Sequence, residues 1–198
     1  MGRTLSYDPA SVVRAARATF WDRGYADTSV PDLEAATGLN RSSLYHGFGS
    51  KRELFDAAVA SYLDDVVRPA LAGLNAPAPA PEALADYLGA LRAAMSSPGS
   101  ALATHGCLLL NSSAGELGRE DALRAVVGSY HRELSAAVHR GVAAAVPGLN
   151  ANAAHTLTVE ITSLVIASMS LVRAAPAAAL DSLDAAAARL DATVAATP

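Results

Sequence analysis

SVPDLEAATGLNRSSLYH, residues 29–46, is the stretch whose reading decides the fold. Ser29 followed three positions on by Asp32 has the spacing of a capping box, although Asp fits the second position less well than Glu. The box satisfies free backbone N–H groups at a helix start. Leu33, Ala36 and Leu39 recur at three-residue spacing and point to a core. Gly38 stops this helix, and Asn40 caps another that runs from Arg41 to about His46. Two short helices joined by the tight turn Gly38-Leu39-Asn40 form the core of a helix-turn-helix. In that motif the second helix lies in the major groove of DNA and the first crosses the backbone. Ala35 and Ala36 are small enough to let the two helices cross closely.

The flanks extend the pattern. Upstream, Asp8-Pro9 starts a helix, Val13, Ala16 and Phe20 make its apolar stripe, and Gly24 ends it. Downstream, Gly47-Phe48-Gly49 breaks the recognition helix, and Ser50 with Glu53 forms a second capping box. That box opens a long helix with the stripe Phe55, Val59, Tyr62 and Val66. Proline and alanine between Asn75 and Pro81 mark a loop. Helices are then predicted over 82–96, 102–114, 120–145, 151–174 and 177–194, and no alternating run demands a sheet. The expected fold is all-α: an N-terminal three-helix head with a helix-turn-helix, then a helical body, about nine helices in all.

Composition narrows the function. Of 198 residues, 52% are apolar and 17% charged, which excludes a disordered chain. One cysteine permits neither an intrachain disulfide nor a cysteine-built metal site. The opening carries Arg3, Asp8, Arg14 and Arg17 and has no apolar signal segment. The most apolar later run, Leu157 to Val172, is interrupted by Glu160 and is shorter than the roughly 18 apolar residues of a membrane span. A cytoplasmic protein with no membrane partner is expected. The net charge of −4 lies entirely in residues 57–198, whereas residues 1–56 balance to zero. Residues 47–51, GFGSK, are too short for a phosphate loop, no nucleophile elbow occurs, and His131 and His139 are too far apart for a chelating pair. No enzyme activity, metal or cofactor is expected.

The run AARATFWDRGYADTSVPDLEAATGLNRSSLYHGFGSKRELFDAAV, residues 15–59, resembles the DNA-binding head of the TetR/AcrR family of transcriptional regulators. The marks are Ala16, Phe20, Gly24-Tyr25, Thr28-Ser29-Val30, Leu33, Ala36, Gly38-Leu39, Leu44-Tyr45, Phe48, Ser50-Lys51 and Leu54-Phe55. The resemblance implies a DNA-binding domain over 1–50 and an effector-binding and dimerisation domain over 51–198. It implies a homodimeric repressor that binds a pseudopalindromic operator in double-stranded DNA and is released by a small molecule. The body's composition fits an apolar or amphipathic effector. Activation instead of repression, and redox or electrophile sensing by a cysteine, stay open as alternatives.

Chemistry and the family match together select the DNA contacts. Arg41 has a planar fork that can grip a guanine edge or a phosphate at two points. Ser42 and Ser43 are short donors at the start of the recognition helix, and Tyr45 and His46 match the family's backbone-contacting pair. Lys51 sits in the first turn of the next helix, where its charge suits a phosphate. Thr28 or Ser29 offers a further phosphate contact. Two departures from the family stand out. Ser42 replaces the usual Gly or Ala, and Gly47 replaces a larger polar residue, which removes one phosphate contact.

Residues 105–117, HGCLLLNSSAGEL, resemble a body segment of one branch of the family, some of whose members sense electrophiles or oxidants through a cysteine here. Cys107 occupies that position, but a lone cysteine in an apolar helix is first of all a packing residue. Asn111 is a candidate pocket group or interhelical hydrogen bond. Leu157, Ile161, Leu164, Ser168 and Leu171, with Leu180 and Leu183, form the expected dimer face, the alternative being packing within one subunit.

Overall fold

A computed structural model describes residues 7–197. Arg3 and the rest of residues 1–6 lie outside that range, as does Pro198. Among the described residues the regular structure is helical throughout. Asp8 accepts hydrogen bonds from the Ala10 and Ser11 N–H groups and starts α1 (Pro9–Arg23), with Pro9 where no N–H is needed. Val12, Ala16, Phe20 and Trp21 are its buried residues, while Val13 of the expected stripe is only partly buried.

The helix-turn-helix is α2 (Val30–Thr37) and α3 (Arg41–Phe48). Gly38 turns the chain between them at φ 71°, ψ 8°, a left-handed conformation that penalises any Cβ. The two expected capping boxes exchange ranks. Ser29 and Asp32 make the complete box. Ser50 accepts from the Glu53 N–H, but its own N–H bonds to Phe48 O, and Glu53 receives the Ser50 hydroxyl instead. Behind the motif, the first half of α4 (Lys51–Tyr62) completes the head's core. The Phe20 and Phe55 rings meet edge to face at 5.2 Å, and Tyr25 meets Phe55 at 5.1 Å.

α4 does not stop at Tyr62. It passes through a π-helical turn, Leu63–Val67, in which the Arg68 N–H bonds to Leu63 O five residues back, and then into α5 (Arg68–Ala70). The wider turn rotates the apolar stripe. Val66, expected on the buried face, is partly exposed, and Val67 is buried in its place.

The body adds α6 (Ala83–Ser96), α7 (Ala101–His105), α8 (Leu108–Ala114), a 3₁₀ turn (Glu116–Arg119), α9 (Asp121–Ala145), α10 (Ala151–Leu171) and α11 (Pro176–Ala196). The single helix expected over 102–114 is broken at Gly106-Cys107. Gly106 has φ 67°, and a Cβ there would lie 2.9 Å from Met169 O, so both conformation and space require glycine.

α10 packs against both α9 and α11. Its 21 residues are long and apolar enough to cross a membrane, contrary to the shorter run read from sequence, but nearly half of its most apolar window is buried inside the fold. The expected dimer face needs correction here. Leu157, Ile161, Ser168 and Leu183 are at most 1% exposed within a single chain. They are the seam of the subunit's own core. Leu164 and Leu180 are partly exposed, and Leu171, at 36%, is the one of the seven that is fully exposed at the surface.

Candidate nucleic-acid interface and inner cavity

Electrostatic pairing sorts the head's cations. Arg14 lies by Asp8, Arg17 holds Asp65, Arg23 holds Asp32, and Arg52 holds Asp56 and Glu120. Among the described residues of the head, Arg41 and Lys51 have no carboxylate partner. Among the described residues, these two cations without a close ion-pair partner each stand at the first residue of a helix, Arg41 of α3 and Lys51 of α4. Arg41 is exposed. Its guanidinium lies 5.3 Å from the centre of the Tyr45 ring, and its backbone N–H is held by Glu34. That stack pre-orients the fork without covering its donors. Lys51 Nζ lies 4.3 Å from the Tyr25 ring centre, and partial burial lowers its pKa, with Asp27 and Asp32 acting in opposition.

The remaining expected contacts divide. Ser42 and His46 are exposed, and Ser43 and Tyr45 are partly exposed. The Asn40 carboxamide accepts the Ser43 N–H at 2.9 Å, which sets the start of α3. Ser29 is exposed, but its hydroxyl donates to Asp32 at 2.6 Å as part of the cap. Those hydrogen bonds, followed by Arg23, hold the Asp32 carboxyl below its usual range. Thr28 must be withdrawn. It is fully buried, and its hydroxyl donates to Gly24 O at 2.6 Å, so it fixes the α1–α2 turn and cannot reach a phosphate. Sequence reading missed Tyr7. A side chain at position 47 would collide with the Tyr7 hydroxyl, so Gly47 leaves room for a phenol from upstream of α1. No helical period includes Tyr7, so nothing in the sequence singles it out.

In the body, a cavity of about 70 Å³ lies among Tyr62, Val66, Val67, Leu91, Tyr130 and Met169, with Tyr87, Leu102 and Leu134 completing most of its wall. It is apolar apart from the tyrosine hydroxyls. Tyr130 donates to the Met169 sulfur at 3.4 Å. Burial raises the hydroxyl pKa of Tyr62, Tyr87 and Tyr130. Neither effector candidate lines this cavity. Cys107 is fully buried against Tyr62 and Tyr130, and burial pushes its thiol up despite the hydrogen bonds it receives. A neutral, inaccessible thiol is a poor nucleophile. Asn111 donates to His105 O, which bridges the break between α7 and α8, and it faces an outer crevice with Trp21 and Tyr25. Among the described residues, no group of three His, Cys, Asp or Glu side chains is placed to hold a metal ion.

Comparison with known proteins gives these observations a context. Residues 12–58, from within α1 to the eighth residue of α4, match the family described as bacterial regulatory proteins, tetR family. The chain is 32% identical over 142 residues to the uncharacterized HTH-type transcriptional regulator YezE of Bacillus subtilis (strain 168), covering 72% of each. It is 32% identical over 120 residues to the HTH-type transcriptional repressor ComR of Escherichia coli (strain K12), covering 59% of this chain and 57% of that one. A structure of the TetR family transcriptional regulator CifR, a cysteine mutant complexed with 26-bp double-strand operator DNA, superposes with a TM-score of 0.73 at 23% identity, over 100% of both chains.

Proposed function

The chain belongs to the TetR family of bacterial regulatory proteins, DNA-binding regulators rather than enzymes, and on that premise we propose that it is a ligand-responsive repressor acting as a homodimer. The observation that carries the reading is the pairing pattern in the head: Arg41 and Lys51 are left without carboxylates where a helix-turn-helix meets DNA. Arg41 with Ser42 reads a base edge in the major groove, and Ser43, Tyr45, His46 and Lys51 hold the phosphates on either side, while Ser29, whose N–H and hydroxyl both donate to Asp32, serves as the cap of α2. The Tyr7 hydroxyl replaces the contact that Gly47 lacks. The division of labour falls at residues 50–51, with α4 shared between the head's core and the body.

Two heads reach successive major grooves about 34 Å apart only if the dimer holds them at that spacing. An effector that favours another spacing releases the operator, because a ligand shifts an equilibrium by its differential affinity for the two states. The inner cavity is the effector site in this reading. Its tyrosines and aliphatic wall suit a small apolar or amphipathic molecule with one hydrogen-bonding group. Burial of Cys107 favours this reversible mode over attack on its thiol.

The test is fluorescence anisotropy of the full chain with DNA from upstream of its own gene and with fragments selected from random sequence. Physiological salt and scrambled competitor remove nonspecific phosphate binding. Saturable, sequence-selective binding is expected. Failure to select any sequence would overturn the regulator reading.

A further inference from the structure

Arg17 leaves α1 and grips the far end of α4. Its Nη1 donates to Ser61 O at 2.9 Å, to the Ser61 hydroxyl at 2.9 Å and to an Asp65 carboxylate oxygen at 2.6 Å. The Ser61 hydroxyl donates to the same Asp65 oxygen at 3.0 Å, which closes the cluster. The Arg17 side chain is only 15% exposed, while the Asp65 side chain, at 46%, faces solvent on its other side. Asp65 is the middle residue of the π-helical turn. Val66 and Val67 of that turn, with Tyr62 before it and Ala70 and Leu71 after it, line the inner cavity. One turn of backbone thus meets the head's guanidinium and the body's cavity at once. A second tie runs beside it. Trp21 Nε1 donates to Gly106 O at 2.7 Å, and the Trp21 ring meets Tyr62 edge to face at 5.0 Å.

π-Helical turns are rare, occur mostly as one-turn bulges in α-helices, and concentrate at functional sites. Here the turn is anchored from outside its own helix by Arg17. The cavity of about 70 Å³ is well below the volume of a pocket for a drug-sized ligand, so an occupant of more than a few atoms has to displace the wall. The part of the wall without regular α-helical bonding is the turn itself.

We propose that Arg17 is a positioning residue for operator binding: through Ser61 and Asp65 it makes the π-helical turn the joint by which filling of the cavity moves the head. This rests on the ligand-responsive reading above. It adds to that reading a named route, and the state in which Arg17 holds the turn is the state that binds the operator.

The route can be tested without an effector by filling the cavity with a side chain. Leu102→Phe and, separately, Leu91→Phe are made in the full-length protein, each with Arg17 intact and with Arg17→Met, and operator dissociation constants are measured for these four proteins and for the wild type and Arg17→Met as their references. With Arg17 present, cavity filling is expected to weaken binding about tenfold, and with Arg17→Met by less than about twofold. Arg17→Lys, which keeps the charge but not the fork, is expected to fall between. A purely structural Arg17 would lower thermal stability and leave the effect of cavity filling unchanged, so the ratio separates the two roles. Equal weakening in both backgrounds overturns the role of Arg17 and leaves ligand response standing. No weakening in either background, for both cavity variants, overturns the route and the cavity's link to DNA together. Hydrogen exchange supplies a readout that needs no cavity variant. Arg17→Met is expected to speed exchange of amides 63–71 selectively, and unchanged protection there overturns the proposal.

Discussion

Arg41 and Lys51 make different demands on DNA, and substitution should separate them. Arg41→Ala is expected to cost about 1–3 kcal/mol and to relax selectivity at one base position, whereas Lys51→Ala should weaken all sequences alike and reduce the salt slope by about one. Binding measured against a panel of single-base operator variants at several salt concentrations checks both, and interchangeable effects would mean that neither side chain reads a base. Both residues are singled out in the sequence because family spacing and side-chain chemistry agree, and among the described residues the structure leaves both without a carboxylate partner. Thr28 was not legible, since one hydroxyl serves equally well as a phosphate donor or as a buried turn clamp, and only its bond to Gly24 O decides. Cys107 was legible as a packed residue, and its protonation has a consequence. Burial raises the folded pKa of Cys107 above its ordinary value of 9.0 and those of Tyr62, Tyr87 and Tyr130 above 10.0. Above those pH values the unfolded chain has lost protons that the folded chain retains, so their contribution to stability is complete at neutral pH and falls as pH rises. The urea midpoint is expected to be level to about pH 8 and to decline beyond about pH 9. The native protein should also show less tyrosinate absorbance than the unfolded protein at the same alkaline pH. Full tyrosinate amplitude in the native state would contradict that burial.

At the scale of elements, local rules located the helices well and misjudged two interruptions. Capping and glycine signals fix where α1, α2, α3 and α4 begin because they act within a few residues, and Asp8, Ser29, Asn40 and Ser50 each cap as their spacing implies. The break at Gly106-Cys107 was hidden. Leu102, Leu108 and Leu109 continue an apolar pattern, and the glycine at the break is required by its positive φ and by the Met169 carbonyl on α10, distant in sequence. The π-helical turn was hidden for the same kind of reason. A strict α period through Phe55, Val59 and Tyr62 runs on to Val66, and the one-residue rotation that buries Val67 is accompanied by the Arg17 cluster, whose guanidinium comes from α1. Both interruptions lie where head and body touch. Trp21 bonds to the Gly106 carbonyl at the first, and Arg17 holds Asp65 at the second. The departures from regular helix are thus the points at which α1 engages the body.

At the scale of the molecule, the sequence could find an apolar face on α10 but not what covers it. Core and interface obey the same helical period, and the more apolar face goes to the core because it recovers more free energy per unit area there. Leu157, Ile161 and Val165 accordingly turn inward. What remains outside is a weaker stripe, Val159, Ser163, Ile166 and Ser170, beside an alanine-rich exposed face on α11 that includes Ala177, Ala188 and Ala192. Large apolar residues stand exposed along this pair of helices: Val159 at 48%, Leu171 at 36% and Val194 at 44%. Small residues between them permit close approach of two helix pairs, which is the requirement of a four-helix interface about a two-fold axis. Val159→Arg is therefore expected to convert a dimer to a monomer in sedimentation equilibrium, with little loss of helicity because the residue is exposed in the single chain. Operator affinity should fall by more than about tenfold with it, since one head reaches only half the site. Ile161→Ala, two positions away and fully buried, is the control with the opposite signature: it should cost about 2–5 kcal/mol of folding stability. If the Val159→Arg, Leu171→Arg and Val194→Arg proteins all remain dimeric, the two-fold axis lies on another surface, and the spacing of the heads is set there.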